Sequence, residues 1–475
     1  MASNSSNEPA ILQKCPSGIE GLDEITCGGL PLGRASLVCG SAGCGKTMLS
    51  MQFLVNGALQ YNEPGVFVSF EETEAELIQN FASLGIDLDD LCSKKKIMMD
   101  YVYIDKDQIE ETGDYDLEGL FLRLDYAINS IGAKRVVLDT IEALFSGLSN
   151  TKILRAELRR LFRWLKDKGV TSIITGEQGS GTLTRHGIEE YVSDCVILLD
   201  HKVFKQISTR RVRIVKYRGS AHGTNEYPFL IDEQGISIMP ITSIGLKSEA
   251  LNSRVSTGIP RLNTMLGGEG FYVGSTVLIS GTAGTGKTSV AAHIVDAACH
   301  RGERCLYFAF EESQSQIIRN MRSIGVDLDQ WISENLLRLY AWRPTNIGLE
   351  MHLLSMHKKI AEYTPAIVVI DPITNLTEIA NETDVKVMLM RLMDFLKMKN
   401  ITTILLDLSD TTKLEATGVG ISSLVDTWIT LRDMELNGER NRGLHIIKSR
   451  GMAHSNQIRE FVLTDKGILL NEERI

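Results

Sequence analysis

GTAGTGKT, residues 281–288, decides the fold. Gly281, Thr282, Ala283, Gly284, Thr285, Gly286, Lys287 and Thr288 run as glycine, four residues, glycine, lysine, threonine. Such a loop cradles a nucleotide's phosphates. Its glycines let successive backbone N–H groups turn inward around an anion. Its lysine reaches the terminal phosphates, and its threonine hydroxyl is a magnesium ligand. The pattern stands twice: Gly40, Ser41, Ala42, Gly43, Cys44, Gly45, Lys46 and Thr47 read GSAGCGKT. Each copy follows an apolar stretch and opens a helical one. That is the context that turns the pattern into a site, with the positive end of a helix facing the phosphates. ATP and Mg²⁺ are the ligands this predicts.

The repeat extends far beyond the loops. GVFVSFEE, ending at Glu71 and Glu72, has a partner in RCLYFAFEE, ending at Glu311 and Glu312. FASLGIDLDDL matches MRSIGVDLDQW, and IVKYRGSAH matches IIKSRGMAH. Asp139 ends KRVVLD and Asp371 ends AIVVID; these two, like Arg218 and Arg450, stand 232 residues apart. A repeat of this length is a duplicated domain. Residues 1–243 are expected to form the first domain and 244–475 the second, joined within Met239–Ser253. Short β-branched runs (VFVSF, RVVLD, TSIIT, CVILL; LYFAF, IVVID, TTILL, WITL) alternate with amphipathic stretches. The fold class is therefore α/β, each domain a mostly parallel sheet flanked by helices.

The chain of 475 residues carries a formal charge of −10 and no strongly basic stretch, which counts against a role dominated by nucleic acid. The segments after Asp139 and Asp371, IEALFSGLSN and PITNLTEIANETD, are nearly uncharged or acidic, unlike the basic loops of a DNA motor. Its eight cysteines form no CxxC pair and read as reduced thiols of a cytoplasmic protein. No apolar run is long enough to span a membrane.

Several side chains are placed for phosphate chemistry. Asp139 and Asp371 end apolar strands, where a carboxylate facing Thr47 or Thr288 holds magnesium. Glu71, Glu72, Glu311 and Glu312 end the strand after the loop helix, the edge at which ligands gather in such sheets. One of each pair is expected to orient or deprotonate the attacking group. Lys216 with Arg218, and Lys448 with Arg450, come after the last predicted strands. Spaced two apart, they share a face and can reach the γ-phosphate of a nucleotide held by a neighbouring copy.

The halves differ at one telling place. Aligned at Asp194 and Asp426, Ser422 stands opposite Glu190 and Ser423 opposite Tyr191. Adjacent hydroxyls beside an ATP site are candidate phosphate acceptors. A phosphate there adds roughly −1.5 to −2 charges and new arginine-pairing capacity.

From Ser17 to about Ile475 the chain resembles the KaiC family, double RecA-like P-loop ATPases that include the cyanobacterial clock protein. The resemblance rests on EGLDEITCGGLPLGR, both phosphate loops, both FEE motifs, and KSRGMAH followed by IREFVLTDKG. It implies two tandem RecA-like domains in a homo-oligomeric, hexameric ring of two tiers, with ATP between neighbours and a KaiB-like partner. It implies ATP hydrolysis in the first tier and autophosphorylation in the second, on Ser422 and Ser423. Glu311 would be the phosphotransfer base and one of the groups near magnesium, Lys448 and Arg450 would act on the neighbour's ATP, and Thr417 would lie near the acceptors. The acceptor pair is Ser-Ser where the clock protein has Ser-Thr, and EATGVG (Glu415–Gly420) replaces a serine-rich neighbourhood. The sequence stops at NEERI, where the clock protein continues into a tail that receives KaiA. The expectation is a homologue without KaiA-type activation, signalling through phosphorylation or ATP state.

Overall fold

The computed structural model describes residues 12–102, 117–145, 151–179, 182–184, 193–204, 207–239, 251–409, 420–436, 439–465 and 467–474. Most of the expected join at Met239–Ser253 lies outside them, as do Glu190, Tyr191 and Thr417. The chain divides into two compact units, Met1–Thr242 and Ser243–Ile475.

In the first unit the strands of the large sheet are β1 (Ala35–Gly40), β2 (Gly65–Ser69), β3 (Ile97–Tyr101), β4 (Arg135–Asp139), β5 (Thr171–Glu177), β6 (Cys195–Phe204), β7 (Ile207–Tyr217), β8 (Tyr227–Asp232) and β9 (Gly235–Ile238). They lie in the order β3-β2-β4-β5-β1-β6-β7-β8-β9. From β3 to β6 every pairing is parallel; β6 to β9 is an antiparallel meander. The main helices are α1 (Lys46–Gln60), α2 (Glu74–Ala82), α3 (Glu118–Ile131) and α4 (Thr151–Asp167).

The second unit repeats this plan. The strands of its large sheet are β10 (Thr276–Gly281), β11 (Cys305–Ala309), β12 (Leu337–Ala341), β13 (Ile367–Asp371), β14 (Thr402–Leu408), β15 (Thr427–Leu436), β16 (Glu439–Ser449), β17 (Arg459–Thr464) and β18 (Gly467–Arg474). Their order is β12-β11-β13-β14-β10-β15-β16-β17-β18, with the last four antiparallel. The main helices are α5 (Lys287–His300), α6 (Gln314–Arg322), α7 (Leu349–Tyr363) and α8 (Glu382–Met398).

The central strands are apolar on both faces because both are covered. On β4, Val137 packs with Leu49, Phe53 and Leu54 of α1. Its neighbours Val136 and Leu138 point the other way, into the layer of Leu124 and Ile128 of α3 and Leu158, Leu161 and Leu165 of α4. The loop helices α1 and α5 begin at glycines in left-handed backbone, Gly45 at φ 105° and Gly286 at φ 95°, a conformation that disfavours a side chain. Helices α2 and α6 start with capping boxes, Thr73 with Glu76 and Ser313 with Gln316. Those caps fix the helix entry just after each glutamate pair.

The expected strands and the mostly parallel sheet are present, which confirms the doubly repeated α/β fold. The meander corrects one expectation. Lys216 and Lys448 do not follow the last strands: they lie within β7 and β16, with two more strands after each. YPFLIDEQGISI and REFVLTDKGILL are short hairpins whose tight turns hide their period.

Candidate functional site: paired nucleotide clefts

Each loop wraps its own lysine. Lys46 Nζ donates to the carbonyls of Gly40 at 3.0 Å and Ser41 at 3.1 Å. Lys287 Nζ donates to Gly281 at 2.9 Å and Thr282 at 2.8 Å. Both lysines are buried. Burial pushes the Lys287 amine below its ordinary value, against the opposing pull of Asp371, Asp407 and Glu311. A desolvated ammonium whose donors rest on weak carbonyl acceptors is well suited to an incoming polyphosphate.

The strand-end carboxylates meet the loop hydroxyls, as the motif requires. Thr288 Oγ1 donates to Asp371 Oδ2 at 2.8 Å, and Tyr307 donates to the same oxygen at 2.6 Å. In the first unit Asp139 is held by the hydroxyls of Thr175 and Thr47. Burial holds both carboxyls above the usual carboxylate range, more strongly than these hydrogen bonds and the loop lysines lower them. A carboxylate that burial makes reluctant to ionise is stabilised by a cation. The hard-oxygen donor set of threonine and aspartate suits magnesium, which completes its shell with phosphate oxygens and water. Among the described residues no cluster of three or more His, Cys, Asp or Glu side chains forms a metal cage. When bound, magnesium would neutralise phosphate charge at Thr47 and Asp139, or Thr288 and Asp371.

The glutamate pairs are differentiated. Glu72 accepts from Asn80 at 3.0 Å and Glu312 from Asn320 at 3.1 Å, the same partner in both units. Glu71 accepts from Thr140 at 3.0 Å. Burial first, then Asp139, Glu76 and Glu71, raise the Glu72 carboxyl, with Asn80 opposing. In the second unit these parts converge on a cleft of about 370 Å³. Its walls include Gly284, Lys287, Thr288, Glu311, Glu312, Asn320, Asp371 and, from β17, Leu463.

The cations Lys448 and Arg450 do not line that cleft. Lys448 Nζ donates to the Ser422 carbonyl at 2.7 Å, and Arg450 Nη2 to the Ser423 carbonyl at 2.6 Å. Asp426 gathers Lys397 at 2.8 Å and Arg450 at 4.0 Å. In the first unit Lys216 donates to the Ser193 carbonyl at 2.8 Å, and Arg218 stands 3.7 Å from Asp194. Ser422 is half-buried and Ser423 exposed, in the turn before β15.

Sequence reasoning missed Asn80 and Asn320, Tyr307, Asp407 and Lys397. The asparagines carried a signal, since each stands eight residues after the second glutamate in both halves. Asp407 was visible as a lone acid inside the apolar run TTILLDL. Tyr307 and Lys397 gave none, because a tyrosine in a strand and a lysine at a helix end are ordinary.

A family model described as "ATPase: KaiC" matches residues 15–243 and again 255–474. The chain belongs to the KaiC ATPase family. It is 57% identical over 467 residues to the circadian clock protein KaiC2 of a Synechocystis species, covering 98% of this chain and 82% of that one. It is 37% identical over 468 residues to the circadian clock oscillator protein KaiC of Synechococcus elongatus, covering 98% and 90%. The KaiC protein of Thermosynechococcus vestitus is 38% identical over 462 residues, covering 96% and 89%. As in a KaiC-family ATPase, both units carry an ATP-binding loop. Among the described residues no helix is long and apolar enough to cross a membrane.

Proposed function

We propose that this KaiC-family protein couples ATP hydrolysis in its first unit to autophosphorylation of Ser422 and Ser423 in its second, within a ring of six copies that acts as a signalling or timing switch. The observation that carries the reading is the grip of Lys448 and Arg450 on the carbonyls of Ser422 and Ser423. The two cations expected to act on a neighbour's γ-phosphate hold the very turn that bears the acceptor hydroxyls. Cation and acceptor would therefore be delivered together to the edge of another copy's cleft. There Ser Oγ attacks the γ-phosphorus, the bond to the β–γ bridging oxygen breaks, and ADP leaves. The serine proton passes to a carboxylate of the Glu311–Glu312 pair. In the first unit Glu71 or Glu72 orients water for the same displacement, and Thr47 and Asp139 would hold the magnesium that neutralises phosphate charge. A KaiB-like protein is the partner that family membership supports.

Peptide mass spectrometry after incubation with magnesium and ATP tests this. Phosphate is expected on the peptide bearing Ser422 and Ser423 and absent after Ser422→Ala/Ser423→Ala or Lys287→Ala. Unmodified serines beside steady ATP consumption would leave a two-site ATPase without kinase activity.

A further inference from the structure

Six residues after its loop lysine, each unit places one side chain against the last hairpin of its sheet. In the second unit this is His293. Its Nδ1 lies 3.2 Å from the Ser289 carbonyl and its Nε2 lies 3.2 Å from the Ile468 amide. An amide N–H only donates, so Nε2 presents its lone pair and Nδ1 carries the proton. Only this neutral tautomer makes both bonds. In the first unit the place belongs to Gln52, whose Oε1 accepts from the Ile236 amide at 2.7 Å. The contact is close in both: a Cβ on Gly467 would lie 2.5 Å from His293 Nε2, and one on Gly235 would lie 2.7 Å from the Gln52 amide. The clasp is thus the same, with an acceptor that titrates in one unit and an acceptor that does not in the other.

The hairpin so clasped, β17–β18, reaches the nucleotide site. Leu463 of β17 lines the cleft, and the Phe461 ring stands 3.3 Å from where a Cβ on Gly286 would sit. We propose that His293 is a pH-sensitive positioning residue: its neutral ring holds the β17–β18 hairpin against α5, and its protonation loosens that wall of the second unit's cleft while the first unit's β8–β9 hairpin, clasped by Gln52, is unaffected. The inference rests on the reading that the second loop binds ATP.

The groups around the ring favour this. Asp296, on α5 itself, is the charge that bears on it; that carboxylate also accepts from Trp331 Nε1 at 2.8 Å and faces His300 at 3.4 Å. Strand β18 offers main chain, and among the described residues no charged side chain of another element bears on the ring. Burial outweighs Asp296 and the Ser289 carbonyl and keeps the imidazole below its ordinary value of 6.5. The clasp is therefore complete above the unfolded-state value and is lost as pH falls through the lower folded-state one.

The test uses the full chain carrying Lys46→Ala, so that a fluorescent ATP analogue reports the second loop alone. Its affinity is measured from about pH 7.5 downward, through the ordinary histidine range and below it as far as the chain stays folded. The Lys46→Ala chain is expected to lose about fivefold more affinity than Lys46→Ala/His293→Gln, the scale of one neutral hydrogen bond. The reciprocal Gln52→His, in a Lys287→Ala chain, is expected to bring the same slope to the first loop. Hydrogen exchange of nucleotide-free protein supplies an independent readout. Protection of the Ile468 amide, corrected for intrinsic rate, should fall with pH while that of Ile236 holds. Equal slopes with and without His293, or unchanged Ile468 protection, would overturn the inference. Absence of analogue binding at neutral pH would instead sink the ATP reading, and Ile468 protection would then decide the clasp alone.

Discussion

Tyr307 donates its hydroxyl to Asp371 Oδ2 at 2.6 Å, where the first unit carries Phe67 at the matching place on β2. The two strand-end carboxylates are therefore held differently: Asp371 by a tyrosine and Thr288, Asp139 by two threonines. Burial still dominates at Asp371 and raises its folded-state pKa above the unfolded one. For an acid with that shift, ionisation removes stability as pH rises from the unfolded value through the folded one, and the cost is complete above the folded value. Asp371→Asn removes the charge and keeps an oxygen for Tyr307 and Thr288. A thermal scan in chelator should find this variant at least as stable as the wild type. Saturating magnesium and ATP should raise the wild-type midpoint by more, since the variant's second cleft, short of one magnesium ligand, gains less from mass action.

Arg135 is the first unit's largest fully buried side chain, with Nε 2.7 Å from Glu63 and its other nitrogens on the carbonyls of Phe53 and Pro16. A Cβ on Gly57 would lie 2.5 Å from it. The second unit has Ile367 in the matching strand position and Ala298 on the helix. Arg135→Ile and Gly57→Ala should each destabilise the first unit, the one by stranding carbonyls and Glu63, the other by a clash. The double variant, which copies the second unit, should lose at least about 1 kcal/mol less than the sum of the singles. Denaturant unfolding of the three variants checks this; simple additivity would mean that the glycine does not exist to admit the arginine.

Most of the parallel sheet was legible because its strands are apolar on both faces and its loops carry a pattern that few other structures need. The duplication made more legible still, since a repeated residue is rarely accidental: Asp139 with Asp371 and the glutamate pairs were found that way. What stayed hidden is where the halves solve one problem with different residues. Gln52 and His293, Phe67 and Tyr307, Arg135 and Ile367 fall out of any repeat pattern, and Gln52, His293, Tyr307 and Arg135 act through partners brought close only by the fold. The meander was hidden for a simpler reason, that short amphipathic hairpins around Glu233–Gln234 have no long period to detect.

The Asn80–Glu72 bond predicts a shifted pH profile in the first unit. Glu72 is already pushed up by burial and by Asp139, Glu76 and Glu71, and Asn80 is the donor that opposes them. Asn80→Asp removes a donor and adds a carboxylate, so the Glu72 carboxyl must rise further. If Glu72 serves as the base, it must be ionised to act, and the acid limb of ATP hydrolysis moves to higher pH. ATPase assays across pH in a Lys287→Ala chain read this directly. An unmoved acid limb would pass the role to Glu71.

The separation of Lys448 and Arg450 from the cleft of their own copy predicts complementation between copies. Arg450→Ala keeps an intact loop but offers its neighbour no guanidinium; Lys287→Ala offers the guanidinium but holds no nucleotide. Each alone should leave serine phosphorylation near background. In randomly mixed rings, an interface with a working loop on one side and a working arginine on the other forms at about a quarter of positions. Mixing the two variants, after dissociation and reassembly, should therefore restore about a quarter of wild-type phosphorylation on the Ser422–Ser423 peptide. Were Arg450 to act on the nucleotide of its own copy, no mixture would regain activity, and the trans arrangement would have to be abandoned.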